Sequence, residues 1–151
     1  MKKLLILLQT ALCCILAMQP AKRERASVHE QVAAFPSMTI SPDHLDFGDQ
    51  VVGHVSKPIR IIVTNASAKD LYINSIALTG DNQQEFAMVT DVCTGQKLGA
   101  NKSCVIDVAF DPRVTGSRKA AVRLIDNAVD SPQTVRLTGN GINSVDVPPH
   151  R

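Results

Sequence analysis

From Met38 onward the chain alternates apolar and polar residues with period two, and turn formers interrupt the alternation every few positions. Ile59, Ile61 and Val63 alternate with Arg60, Ile62 and Thr64. Leu71 and Ile73 alternate with Tyr72 and Asn74, and the run continues through Ile76 and Leu78. Phe86 and Met88 make a short run; Cys104, Ile106, Val108 and Phe110 a longer one. Ala120, Val122 and Leu124, then Val135 and Leu137, complete the series. Successive side chains of a strand point to opposite faces, so each run reads as a half-buried strand. Asn65-Ala66-Ser67, Gly80-Asp81-Asn82, Asp111-Pro112, Thr115-Gly116-Ser117, Asp126-Asn127 and Ser131-Pro132 supply the turns between them. No helical period persists in this region. The expected fold is all-β: an immunoglobulin-like antiparallel β-sandwich of about seven to eight strands, with a closed barrel as the alternative.

The N-terminus differs. Met1-Lys2-Lys3 precedes an apolar run from Leu4 to Met18 interrupted only by Gln9 and Thr10. A short basic segment followed by about 7–15 apolar residues is a secretory signal pattern. It is short against the roughly 20 apolar residues of a spanning helix. Ala17, Ala21 and Ala26 are the small residues near a cleavage point, while Lys22, Arg23 and Arg25 favour a retained signal-anchor. The expected organisation is a signal peptide over 1–21, a linker over 22–37, the sandwich over 38–141 and a tail over 142–151. A periplasmic or extracellular location follows, with membrane tethering by an uncleaved leader as the alternative.

Residues 1–37 hold five basic and two acidic side chains, a net +3, whereas 38–140 hold ten basic and eleven acidic ones, a net −1. The domain thus lacks the basic excess that nucleic-acid binding requires. Phe35, Phe47, Phe86, Phe110 and Tyr72 are its aromatics, with no Trp. That is too few rings for a base-stacking platform or a stacked-aromatic carbohydrate site. If retained, the basic Lys22–Arg25 segment would hold the chain at an anionic membrane surface.

Cys13 and Cys14 lie in the leader, and Leu12 before them is too large for a lipoprotein signal. Export removes both and leaves Cys93 and Cys104. Cys104 is in phase with Ile106 and Val108 and points inward, and exported cysteines oxidise. A Cys93–Cys104 disulfide is expected, worth about 3 kcal/mol for a loop of this size in the chain-entropy model. Two free thiols are the reading for a cytosolic protein.

Other candidate chemistry is weak. His44 and His54 flank the first strand region, where with Asp43 or Asp46 they make a conceivable copper or zinc set; His29 and His150 fall outside the domain. No spacing matches a ligand motif, and surface histidines are the default. Asp43, Asp46 and Asp49 do not follow a calcium-loop pattern and read as strand-edge charge. No nucleophile elbow or phosphate loop occurs. Asn65-Ala66-Ser67 and Asn101-Lys102-Ser103 are formal glycosylation sequons, read here as turn residues. No cofactor, no metal and no enzymatic activity are expected.

An ordered set of short pieces carries a resemblance. It runs Leu45-Asp46-Phe47-Gly48, Val51-Val52-Gly53, Ser56, Ile59-Arg60-Ile61-Ile62-Val63-Thr64-Asn65, Leu71, Ile73, Ile76, Gly80 and Glu85-Phe86. It continues through Cys93, Cys104-Val105-Ile106, Phe110-Asp111-Pro112, Gly116, Ser131-Pro132 and Leu137-Thr138-Gly139-Asn140-Gly141. Over about residues 38–141 the chain resembles the ASH (abnormal-spindle, spindle-defective, hydin) domain, especially the bacterial exported "choice-of-anchor D" members. The resemblance implies a non-catalytic immunoglobulin-like domain related to major sperm protein and pilus-chaperone folds. Eukaryotic relatives are associated with cilia, centrosomes and microtubules; the leader and the single short domain depart from them, and fold alone does not transfer their role.

Phe47 reads as a wedge between the sheets. Gly48 and Gly53 suit a bulge or a bend where the first strand changes sheet, and Gly139 and Gly141 end the last strand. The expected function is binding or scaffolding of another protein in the cell envelope by shape and edge-strand recognition. The alternatives are a chaperone-like accessory acting by strand addition, for which Arg60 and Arg123 are the mid-strand basic candidates, and a metal-binding envelope protein. If the chain is not exported, the alternative is an intracellular cytoskeleton-associated role.

Overall fold

The computed structural model describes residues 35–146, which lie within one compact unit, Ala33–Arg151. The expected signal peptide (1–21), most of the linker, the last five residues, Cys13, Cys14, His29 and His150 lie outside the described residues.

Two sheets face each other. Strands β1 (Met38–Ser41), β3 (Ile59–Asn65), β7 (Ser103–Phe110) and β5 (Phe86–Asp91) form one, in the order β1-β3-β7-β5. Strands β2 (His44–Val51), β9 (Gln133–Ile142), β8 (Gly116–Asp126), β4 (Leu71–Thr79) and β6 (Lys97–Leu98) form the other, in the order β2-β9-β8-β4-β6. All pairs are antiparallel except β2–β9, which is parallel. The nine strands exceed the expected count, and two of them, β1 and β6, are edge pieces of four and two residues.

The alternation read from the sequence is the burial pattern of the strands. Ile61, Val63, Ile106, Val108, Val122, Leu124, Val135 and Leu137 are buried and fill the space between the sheets. Burying each such side chain stabilises the fold by about 1.5–3 kcal/mol. The apolar phase of β4 shifts, from Leu71 and Ile73 to Ile76 and Leu78, because the register slips between Ile73 and Ser75. A bulge there lets both halves face the core.

Phe47, Phe86 and Phe110 form one aromatic cluster, with centroids 5.7, 5.9 and 4.8 Å apart. Phe47 is the wedge expected of it. Gly48 sits at a bulge between Asp46 and Asp49 with φ +62°. The change of sheet does not fall at Gly48 or Gly53; it falls between β1 and β2, at Pro42-Asp43. A proline has no amide to donate, so pairing stops there. Gly139 and Gly141 do not end β9 either, since the strand runs to Ile142. They are glycines for space: a Cβ on Gly141 would stand 2.3 Å from the Val114 carbonyl oxygen.

A buried charge fixes the β7–β8 connection. The Glu85 carboxylate accepts the Arg113 amide at 3.1 Å and lies 3.2 Å from Arg118 Nε. The Glu85 carbonyl accepts the Asp111 amide at 2.8 Å.

Asp126 closes β8, inward and buried. Burial pushes its carboxyl above the ordinary value; bonds from the Ala128 amide and Ser131 pull the other way, and Asp130 adds to the rise. A carboxyl raised in the folded state contributes stability while protonated, and that contribution is lost as pH climbs through the raised value. Asp126→Asn keeps an oxygen for the Ala128 amide, which Asp126 accepts at 2.7 Å, and removes the titration. Urea-unfolding free energies of Asp126→Asn and the parent chain should therefore shift in the variant's favour between about pH 3 and pH 7. A difference that stays flat over that range contradicts this reading.

Candidate functional site

The features that reach solvent with unused bonding capacity are strand edges and one sheet face. Sheet edges present unpaired amides and carbonyls, and proteins blunt them with charge, bulges or short strands. The described edges differ in how far they are blunted. β1 is four residues long. β2 carries a bulge and the acidic residues Asp46 and Asp49. β5 is bulged between Met88 and Thr90.

β4 is different. β6 pairs only with Leu71 and Tyr72, and Ile73 bonds to Gln96 and Gly95. Beyond the bulge, Ser75–Thr79 pairs regularly with Ile125–Ala121 of β8 on one side. Among the described residues no backbone bond is made on its other side. The segment Ser75-Ile76-Ala77-Leu78-Thr79 has no charge, proline or glycine. Ile76 and Leu78 are half-buried against the core, and Ser75 and Ala77 are exposed.

The outward face of the five-stranded sheet is basic. Arg136 alternates with buried Val135 and Leu137, and Arg123 with Val122 and Leu124. His44 of β2 lies opposite Arg136, and Lys119 opposite Thr138. These four residues other than Arg123 line an open cleft of about 340 Å³. Parallel pairing of β2 with β9 brings His44 there, which no local spacing reveals. Lys119, Arg123, Arg136 and Thr138 share one strand phase, a signal present in the sequence.

The other candidates fall into place. Cys93 and Cys104 form a disulfide, with S–S 2.06 Å and Cα–Cα 5.2 Å; Cys93 is fully buried. The turn that delivers Cys93 is set by Asp91, whose carboxylate accepts the amides of Cys93 (2.8 Å) and Thr94 (3.0 Å) and the Thr94 hydroxyl (2.6 Å). Burial raises the Asp91 carboxyl, but these bonds together outweigh burial and hold it below the ordinary value.

His44 and His54 do not meet. His44 opens β2 and His54 lies three residues beyond its end at Val51, and the extended chain between rises about 3.3 Å per residue. No group of three potential ligands gathers among the described residues. Asp46 accepts the Gly48 amide at 3.1 Å and the Thr138 hydroxyl at 3.2 Å, and Asp49 accepts Asn140 Nδ2 at 2.7 Å. Arg60 is no free anchor: it is held in a two-pronged pair by Asp107, at 2.7 and 2.8 Å. Arg123 remains exposed.

The two sequons differ. Asn65 is fully buried, with its amide nitrogen bonded to two carbonyls, so the folded chain offers no acceptor there. Asn101 is exposed, in a left-handed turn with φ +59°.

The two facing sheets and the parallel pairing of β2 with the last strand, β9, define an immunoglobulin-like β-sandwich domain, with a disulfide across one loop. The chain belongs to the HYDIN/CFA65/VesB-like Ig-like domain family, whose model matches residues 36–141. The sequence matches no curated protein. Among solved structures it is similar to the ASH/PapD-like domain 7 of human CEP192 (13% identity, 71% of this chain, 86% of that one, TM-score 0.52). It is also similar to a protein of unknown function from Porphyromonas gingivalis W83 (20% identity, 70% and 46% covered, TM-score 0.57). A third similar structure is the Vibrio cholerae VesB protease (19% identity, 70% and 31% covered, TM-score 0.53). The chain thus spans less than half of the Porphyromonas chain and less than a third of VesB. At these identities the likeness is one of fold.

Proposed function

We propose that this chain is an exported, non-catalytic module that binds another protein by taking an extended segment along the open edge of β4. The carrying observation is Ser75–Thr79, a regular strand with one unpaired side, no charge and two half-buried apolar residues. An added strand would satisfy the unpaired groups and cover Ile76 and Leu78, the mode in which main-chain bonds give affinity and alternate side chains give specificity. Export is supported by the Met1–Met18 signal pattern and by the disulfide, which suits an oxidising compartment. The expected division into a leader (1–21), a linker (22–37), a domain (38–141) and a tail (142–151) belongs to the same reading.

The test is to purify the chain with its partner from the cell envelope, take its intact mass, and map amide hydrogen exchange. The expected result is a truncated N-terminus and slowed exchange within Ser75–Thr79 that a Ser75→Lys/Ala77→Lys variant abolishes. Both positions are exposed, and lysine is a residue natural edges use to refuse pairing. Full-length chain in the cytosol overturns the export reading. Protection elsewhere, or protection that survives the lysines, overturns the edge reading.

A further inference from the structure

The basic face beside that edge assigns a chemistry to the partner. We propose that the bound protein segment is acidic, and that its carboxylates lie on the outward face of the five-stranded sheet in the His44, Lys119, Arg136 and Thr138 cleft. The inference rests on the reading of the domain as a binder of extended protein segments.

Three strands build the cleft. Arg136 stands between His44 of β2 and Ala121 of β8. Lys119 and Arg123 flank Ala121 on its own strand, so both are diagonal neighbours of Arg136, about 7–8 Å away. Ala121 leaves the space between these longer side chains unfilled. Among the described residues Lys119, Arg123 and Arg136 belong to none of the ion pairs, whereas Arg60, Lys97 and Arg118 each have one. Two acids border the cleft, Asp43 at 3.3 Å from His44 Nδ1 and Asp46 on the Gly48 amide and the Thr138 hydroxyl, and against them Lys119, Arg123 and Arg136 leave this face with an excess of positive charge. The domain as a whole is slightly acidic, so the three cations on this face stand out against the net charge around them.

The face is continuous with the open edge. Arg123 lies opposite Ala77, the exposed small residue at the middle of Ser75–Thr79. A guanidinium on a long stem reaches across an alanine to whatever strand lies beyond it. A segment paired along β4 therefore meets Arg123 across Ala77, and the continuation of that segment over the face of the sheet reaches Lys119 on β8 and Arg136 on β9. Alternate side chains of an extended segment point to one face, which sets apolar residues inward over Ile76 and Leu78 and acidic ones outward.

The probe is a decaglutamate peptide, titrated into the full chain by heteronuclear NMR. Shift changes are expected at His44, Lys119, Arg123, Arg136 and Thr138, and they should vanish near 1 M salt, where the screening length is about 3 Å. Lys119→Gln/Arg136→Gln should weaken binding about tenfold or more, with an unchanged thermal midpoint because both side chains are exposed. Ser75→Lys/Ala77→Lys should retain these shifts, so failure of the edge reading is told apart from failure of this one. Shifts scattered over the surface, or the same affinity in the Lys119→Gln/Arg136→Gln variant, would overturn the proposal. So would phosphatidylglycerol vesicles or inorganic phosphate displacing the peptide at lower concentration, which would make the face a lipid or phosphate site.

Discussion

Asn65→Ala is expected to cost about 3 kcal/mol, a large share of the roughly 5–15 kcal/mol that holds a domain together. Asn65 is the last residue of β3 and fully buried. Its amide nitrogen donates to the Lys69 carbonyl at 2.7 Å and the Leu98 carbonyl at 2.8 Å. Its side-chain oxygen accepts the Ser67 amide at 2.9 Å and the Ser67 hydroxyl at 2.8 Å. Its own amide and carbonyl bond to Lys102 and Asn101. One side chain thus ties the β3–β4 turn to the end of β6. Alanine leaves the buried Leu98 carbonyl without this donor, at about 1–3 kcal/mol, and takes the acceptor from the part-buried Ser67 amide, while the Lys69 carbonyl keeps the Ser67 hydroxyl. Asn65→Asp should fare no better, since a carboxylate would face the Lys69 and Leu98 carbonyls without a proton to give. Urea unfolding measures both variants; a loss below about 1 kcal/mol for alanine would show that the turn closes without this side chain.

Gly139→Ala should cost about 3 kcal/mol through one methyl group. A Cβ at Gly139 would stand 2.5 Å from Phe110 Cε1 and 2.7 Å from Cδ1. Phe110 is fully buried and stacked 4.8 Å from Phe86, with Phe47 on its other flank, so the ring has no room to withdraw. Phe110→Leu alone should also destabilise by opening a cavity. The two together should cost clearly less than their sum, because the smaller side chain makes room for the methyl. Strict additivity would place the strain elsewhere.

Much of the sandwich was legible because burial and alternation are the same fact seen twice. The inward positions of β3, β7, β8 and β9 follow directly from period two. The Cys93–Cys104 pair was legible for a related reason, since the phase of β7 aims Cys104 inward. Other features depend on pairing across the chain. Gly139 reads locally as a strand end and is in fact a strand interior made bare for Phe110. His44 meets Arg136 only because β2 runs parallel to β9, a register that neither segment encodes alone. Asn65 read as a turn former, which it is, but its burial depends on loops far along the chain. The open edge of β4 was invisible because an edge is defined by a missing neighbour.

The pairing of the first long strand with the last has a consequence in time. His44 lies opposite Arg136, ninety-two positions later, and β2 has no other strand partner among the described residues. Loops of that span close slowly, and topologies dominated by distant pairings fold late. A ribosome that has released everything up to β8 has made a chain whose five-stranded sheet still lacks the strand that holds β2. The domain is thereby kept from completing itself until β9 has been made, so the five-stranded sheet closes only after every other strand of the domain is available.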